Sequence, residues 1–219
     1  SEMCIRDRFK EVYDQFLFHP DDIPYTSFKS IPEIFTNFRK DCEIHCKVRA
    51  PQMPIKAMSK NNLVRTKTEI PTLNQLGFND FTQHTHTAFP FQGGEHEAQK
   101  RIEQYFWDSQ KLAVYKKTRN GLIGENYSSK LSAWLANGSI SPRTIYWEVR
   151  KFEKEIVKNQ STYWLIFELI WRDYFKYISL KHGDKIFGLT GILQKPYEWK
   201  RTSVALEKWI NGTTKEPFI

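Results

Sequence analysis

The sequence predicts a mainly α protein, and three observations carry that prediction. First, the run Ser161-Thr-Tyr-Trp-Leu-Ile-Phe-Glu-Leu-Ile-Trp-Arg-Asp-Tyr-Phe-Lys-Tyr-Ile-Ser-Leu-Lys-His182 is rich in aromatic residues and contains neither glycine nor proline. That pattern argues one long helix. Second, helix start and stop signals recur through the second half: Asn137-Gly138 reads as a stop, and Ser141-Pro142 as an N-cap followed by a first-turn proline. Third, no stretch after Phe91 alternates with the two-residue period of a strand.

Taken in order, Ser1 to Arg8 reads as a translated adapter scar rather than native protein and is left out of the fold prediction. Phe16-Leu-Phe18 is a short apolar run that reads as the end of a strand, and His19-Pro-Asp-Asp-Ile-Pro24 is a loop. Ile31 to Lys40 predicts a short helix capped by Ser30, with Ile31, Ile34, Phe35 and Phe38 on its apolar face. Lys47 to Lys67 has no apolar period. Its basic residues Lys47, Arg49, Lys56, Lys60, Arg65 and Lys67 suit a surface connection. Thr72 to Leu76 predicts one helical turn, and Gly77 to Pro90 a loop.

From Glu95 to Asp108 the spacing predicts a helix that buries Ala98, Ile102, Tyr105 and Phe106. A second short helix is expected over Gln110 to Lys117, then a turn over Arg119-Asn-Gly-Leu-Ile-Gly124. Ser128 or Ser129 is expected to cap a helix ending at Asn137. The helix from Ser141 is expected to reach Lys158, and the long helix to end at Gly183-Asp184. A loop over Gly188 to Pro196 and a last helix over Ser203 to Asn211 complete the chain.

Composition narrows the class. With 219 residues, 40% hydrophobic and 15% aromatic, the chain can build a core. A net charge of +8 favours an anionic partner, nucleic acid before an acidic membrane surface, although a basic protein without such a partner has the same balance. No apolar run approaches the ~20 residues that span a bilayer, and no secretory signal is visible. Three cysteines without disulfide spacing favour a reducing, intracellular compartment, cytoplasmic or, in a eukaryote, organellar. Cys42-x3-Cys46 with His45, and His84-x-His86, lack the second half of a zinc site, so no metal is expected.

Two constellations can carry chemistry. On a 3.6-residue turn Trp164, Glu168, Trp171 and Phe175 share one stripe, and Arg172 stands four residues from Glu168. Such a face suits a flat ligand with polar edges; it also suits a core helix with one internal ion pair. Tyr127-Ser-Ser-Lys-Leu-Ser132 gathers hydroxyls and an ammonium at a helix start, which can cradle a pyrophosphate or cap the helix. Trp199 sits in the basic loop Lys195-Pro-Tyr-Glu-Trp-Lys-Arg201, where it can equally plug the surface.

Phe91-Gln-Gly-Gly-Glu95, Thr118-Arg-Asn-Gly121, Tyr127 to Gly138, Ser141-Pro-Arg143 and Ser161 to Phe175 stand in an order and spacing that resembles the photolyase/cryptochrome family, specifically its DASH branch. The resemblance runs from about residue 12 to residue 219. It implies the first half of an all-helical FAD-binding domain (91–219), preceded by a loop-rich linker (47–90) and the tail of an α/β domain (9–46), with residues 1–8 as the scar. It implies FAD held by Tyr115, Ser128, Ser129, Lys130, Leu131, Ser132, Glu168 and Arg172. It further implies that Glu168 hydrogen-bonds damaged bases, that Trp171 stacks on them, and that Trp199 is the outermost member of an electron-feeding tryptophan chain.

The implied activity is light-driven, FAD-dependent repair of cyclobutane pyrimidine dimers in single-stranded DNA by a monomer, a lyase-type reaction. Basic residues of the Lys47–Lys67 stretch and Lys200-Arg201 would track the DNA backbone. The alternative is a blue-light photoreceptor that binds flavin and signals without repair. A folate antenna, methenyltetrahydrofolate, is a further implication for the full-length parent. Gly212-Thr-Thr-Lys-Glu-Pro departs from the family's Gly-x-Thr-Gly-x-Pro at Lys215. The segments that complete the flavin pocket in the family lie beyond Ile219, so the chain reads as a fragment, inactive and unable to hold FAD tightly by itself.

Overall fold

A computed structural model describes residues 12–52, 57–59, 61, 69–79, 81–199 and 202–216. The scar reading of residues 1–8 and the expectations for Lys56, Lys60, Arg65, Lys67, Lys200 and Arg201 fall outside them. Among the described residues the regular structure is helical, with no strand.

α1 (Phe35–His45), α3 (Tyr115–Thr118), α5 (Pro142–Glu155) and three 3-10 turns pack on α6, Gln160–His182. Its start is fixed by a reciprocal cap. Asn159 Oδ1 accepts from the Ser161 and Thr162 N–H groups at 2.7 and 3.2 Å, and Thr162 Oγ1 accepts from the Asn159 N–H at 3.1 Å. The Asn159 amide also donates to the Ala113 carbonyl at 2.9 Å, which ties a neighbouring 3-10 turn (Lys111–Val114) to the helix end. At 1.5 Å per residue the helix is about 35 Å long, enough to reach every other part of the core. Leu165, Ile166, Leu169, Ile170, Tyr174 and Tyr177 are buried along it.

Residues before α1 (Phe35–His45) are sewn to α6 by polar bonds as well as by packing. The Leu17 and Phe18 N–H groups donate to the fully buried Asp173 carboxylate at 3.0 and 2.8 Å. Tyr177 donates its hydroxyl to the Phe18 carbonyl at 2.7 Å, and Tyr174 donates to the Glu33 carbonyl at 2.5 Å. Phe16, Leu17, Phe18, Ile31, Phe35, Phe38 and Cys42 therefore share one core with the rest of the chain.

The expected strand end at Phe16–Phe18 is not formed: its N–H groups go to a side chain rather than to a neighbouring strand. The helix expected from Ile31 begins only at Phe35. Ser30 donates to the Ser27 carbonyl at 2.7 Å and closes a 3-10 turn (Phe28–Ser30) instead of capping. Pro32 then holds Ile31 out of helical geometry. The helix runs past Lys40 to His45, and Ile34 is exposed rather than part of the apolar face.

The run expected as one helix from Glu95 divides. α2 (Glu95–Ile102) widens into a π turn over Glu103–Asp108, where the adjacent aromatics Tyr105 and Phe106 are both buried. The wider turn changes the angular step between neighbours from the roughly 100° of a regular α turn. Gln110, in left-handed conformation at φ 49°, then breaks the path, and the next helix, α3, is only Tyr115–Thr118.

α4 is Ser132–Asn137, stopped by Gly138 at φ 78°. Ser128 and Ser129 do not cap it. Lys130 adopts φ 61°, so the chain turns away between Ser129 and the cap position at Leu131. α5 is Pro142–Glu155, with Ser141 Oγ accepting from the Arg143 N–H at 3.2 Å. The last helix, α7, is Ser203–Ile210, and its apolar residues Val204, Leu206, Trp209 and Ile210 are exposed. No helix among the described residues is long and apolar enough to cross a membrane, and no cluster of metal-ligating side chains occurs among them.

Candidate functional site

A cavity of about 780 Å³ opens between the 127–132 segment and α6. Tyr115, Ser128, Ser129, Lys130, Leu131, Ser132, Glu168, Trp171 and Arg172 all line it. Its apolar wall comes from Leu135 and Ala136 of α4, Ile145 of α5, and Leu165 and Leu169 of α6. Residues more than thirty apart in sequence meet here because α6 presents one stripe to the loop.

The loop side is shaped by close contacts. Gly121 lies against Tyr127, and a Cβ at that position would stand 2.8 Å from the Tyr127 Cβ. Lys130 donates to the Tyr127 hydroxyl, with its ammonium 3.8 Å from the ring centroid. Behind the loop, the buried Arg101 guanidinium donates to the carbonyls of Glu125, Ser128 and Ser129.

On the helix side, Glu168 pairs with Arg119, Nη1 to Oε1 at 2.5 Å. The ion pair with Arg172 that the four-residue spacing allows is not made. Arg172 instead donates to the carbonyls of Gln15 at 2.6 Å and Leu135 at 3.0 Å, and burial lowers its pKa. Four-residue spacing allows a contact; two carbonyls from outside the helix outcompete it. Tyr115 is buried, and burial first, then the nearby Glu168 charge, push its hydroxyl pKa up. The Trp171 ring stacks on Phe35, with centroids 3.4 Å apart and planes 11° apart, and on Phe175 at 5.3 Å.

Trp199 lies outside the cavity. It is 62% exposed, donates its ring N–H to the Leu189 carbonyl at 3.0 Å, and meets the Tyr197 ring edge-on. Three participants escaped sequence reasoning. Arg119 stood in the Thr118-Arg-Asn-Gly121 stretch without an assigned partner. Tyr127 opened the hydroxyl run without a role. Arg101 stands three residues after Ala98 and four before Tyr105, at the edge of its helix's apolar stripe; that spacing was the available signal, and its charge masked it.

The donor set fits a nucleotide-linked flat ring. Three hydroxyls and an ammonium suit phosphate oxygens, aliphatic walls suit ring faces, and a carboxylate beside a guanidinium suits polar ring edges. The volume lies within the ordinary range for a cofactor-sized ligand.

No protein-family model matches the chain. Among curated proteins it is 40% identical over 221 residues to the cryptochrome DASH of Danio rerio, with all of this chain and 42% of that protein aligned. It is 42% identical over 213 residues to that of Xenopus laevis, covering 97% of this chain and 40% of the relative. Against a crystal structure of a Synechocystis sp. PCC6803 cryptochrome it superposes with a TM-score of 0.82 at 40% identity, covering 91% of this chain and 41% of that one. The chain thus spans about two fifths of the length of these relatives.

Proposed function

Because the chain belongs to the photolyase/cryptochrome family, in its DASH branch, we propose that its complete protein is a FAD-dependent lyase. It opens cyclobutane pyrimidine dimers in single-stranded DNA under blue light. The observation that carries this reading is the meeting of Ser128, Ser129, Lys130 and Ser132 with Glu168, Trp171 and Arg172 around one cavity.

In this reading Ser128, Ser129, Ser132 and Lys130 hold the FAD phosphates, Leu131 packs against the cofactor, and Tyr115 and Arg172 flank its ring. When bound, FAD would supply reversible, light-driven one-electron chemistry for opening the dimer. Glu168 accepts hydrogen bonds from the base N–H groups and Trp171 offers an aromatic surface to the bases. The dimer has to leave the base stack to reach the site, which is easiest in a single strand. Trp199, exposed and hydrogen-bonded to backbone, relays electrons from the surface. A folate antenna belongs to the complete protein. Residues 9–46 are the tail of an α/β domain, 47–90 a linker and 91–219 the helical part.

The test is anaerobic reconstitution of the complete protein with reduced FAD and an oligonucleotide carrying one thymine dimer, followed by chromatography of the bases. Light-dependent loss of the dimer, abolished by Glu168→Gln, is the expected result. Bound, photoreducible flavin with no repair would replace this reading by a signalling flavoprotein, and failure to bind flavin would reject the site.

A further inference from the structure

We infer that Arg101, which lies outside the cavity, is a positioning residue that orients the Ser128–Lys130 peptides to receive a phosphate; this rests on the cavity being a nucleotide-cofactor site. Arg101 is 1% exposed. Its Nε donates to the Ser129 carbonyl at 3.0 Å, Nη1 to Gln104 Oε1 at 3.0 Å and Asn126 Oδ1 at 2.9 Å, and Nη2 to the Glu125 carbonyl at 2.9 Å and the Ser128 carbonyl at 3.0 Å. A guanidinium has five N–H bonds, so all are used. Four of the five acceptors belong to residues 125–129. The Phe91 and Tyr105 rings lie 4.6 and 5.0 Å from the guanidinium carbon.

Two features separate this from ordinary anchoring. Every acceptor is uncharged, and among the described residues Arg101 makes no ion pair. A buried cation without a paired carboxylate is expensive: burial lowers the Arg101 pKa, and the nearby Glu125 charge only partly opposes that. The second feature is direction. In a trans peptide the C=O and N–H point opposite ways, and no peptide among the described residues is cis. With the Ser128 and Ser129 carbonyls aimed at Arg101, the N–H groups of Ser129 and Lys130 point away from it. Both residues line the cavity, and Lys130 holds the left-handed φ that lets successive N–H groups converge on an anion.

Arg101 therefore aims peptide dipoles away from itself on the cavity side of the loop, where they act on phosphates more than on an uncharged ring. The experiment compares the complete protein with its Arg101→Lys and Arg101→Met variants, titrating FAD, riboflavin and ADP, and following amide exchange at Ser129 and Lys130. Arg101→Met is expected to weaken FAD and ADP by about tenfold or more, the scale of one lost charge-assisted hydrogen bond, and to leave riboflavin within about twofold. Arg101→Lys, which keeps charge but not the fork, falls between.

Equal weakening of all three ligands, or unchanged FAD and ADP, would overturn the inference. If Arg101→Met does not fold, the same comparison is read from Arg101→Lys. If the unmodified complete protein binds neither flavin, the cofactor reading fails on its own. ADP binding that depends on Arg101 then supports the inference, and no ADP binding overturns it.

Discussion

Arg119 Nη1 stands 2.5 Å from Glu168 Oε1, and the Arg119 guanidinium lies 5.8 Å from the Trp164 ring one turn earlier on the same helix. The carboxylate facing the cavity is thus held by a residue from the loop after α3, not by its helical neighbour Arg172. Both partners keep about 30% of their side-chain surface exposed (29% and 30%), so solvent screens the pair. Arg119→Met and Glu168→Gln in a double-mutant cycle are expected to give a measurable coupling of roughly 0.2–1 kcal/mol, read from urea unfolding. A coupling near zero would mean that the pair does not hold the carboxylate in solution.

Gly121 allows Tyr127 to approach closely. An added Cβ would meet the Tyr127 Cβ at 2.8 Å and the Thr118 carbonyl oxygen at 3.3 Å. The first of these atoms is the root of a side chain, so relief requires the backbone at Tyr127 to move. Gly121→Ala should cost about 1–3 kcal/mol and lower Tm by several degrees. It should also shift the 127–130 loop, visible as changed amide resonances from Tyr127 to Leu131. An unchanged Tm would show that the loop yields freely.

The long helix was legible because its aromatic residues repeat at helical spacing without a breaker, and the cavity's main residues were legible because two motifs carry them. What stayed hidden has physical reasons. Spacing says which side chains can touch and left a Glu168–Arg172 pair open; the carbonyls of Gln15 and Leu135, distant in sequence, decided against it. Ser128 looked like a cap because hydroxyls favour helix starts, but a left-handed Lys130 has no sequence signature. The apolar Phe16-Leu-Phe18 looked like a strand because nothing local says that its N–H groups will meet Asp173.

Asn159 closes the start of α6 with three hydrogen bonds from one side chain, two accepted and one donated to the Ala113 carbonyl. Asn159→Ala removes all three. The expected loss is about 1–2 kcal/mol, at the upper end for a cap because the Ala113 carbonyl also loses its donor. Asn159→Asp should restore the two accepted bonds and recover part of the loss in thermal unfolding. If the alanine and aspartate variants melt together, the cap contributes little.

Asp173 gives the chain a pH dependence opposite to that of its exposed carboxylates. Its side chain is fully buried, and desolvation raises its pKa to about 7, against the lowering by the Leu17 and Phe18 N–H groups and the nearby Arg172 and Lys176 charges. In the unfolded chain the same carboxyl titrates at its ordinary value, 3.8. Between these two values the folded chain binds more protons than the unfolded one, so stability falls as pH rises through the window. The contribution is fully present below the unfolded pKa and is lost as pH passes the folded one. Its size is on the order of a few kcal/mol, since each tenfold gain in proton affinity is worth about 1.4 kcal/mol. Asp22 and Glu33 shift the other way, lowered chiefly by hydrogen bonds from Arg49 and Lys181, but both lie near the surface and act at lower pH. Urea unfolding followed by tryptophan fluorescence at about pH 4.5, 6 and 7.5 should show declining stability in the native sequence. Asp173→Asn should be less stable at the acid end, because its amide cannot accept from both N–H groups, and nearly flat across the range. Parallel profiles for the two proteins would mean that Asp173 stays ionised in the fold, held by those two N–H groups against the loss of water.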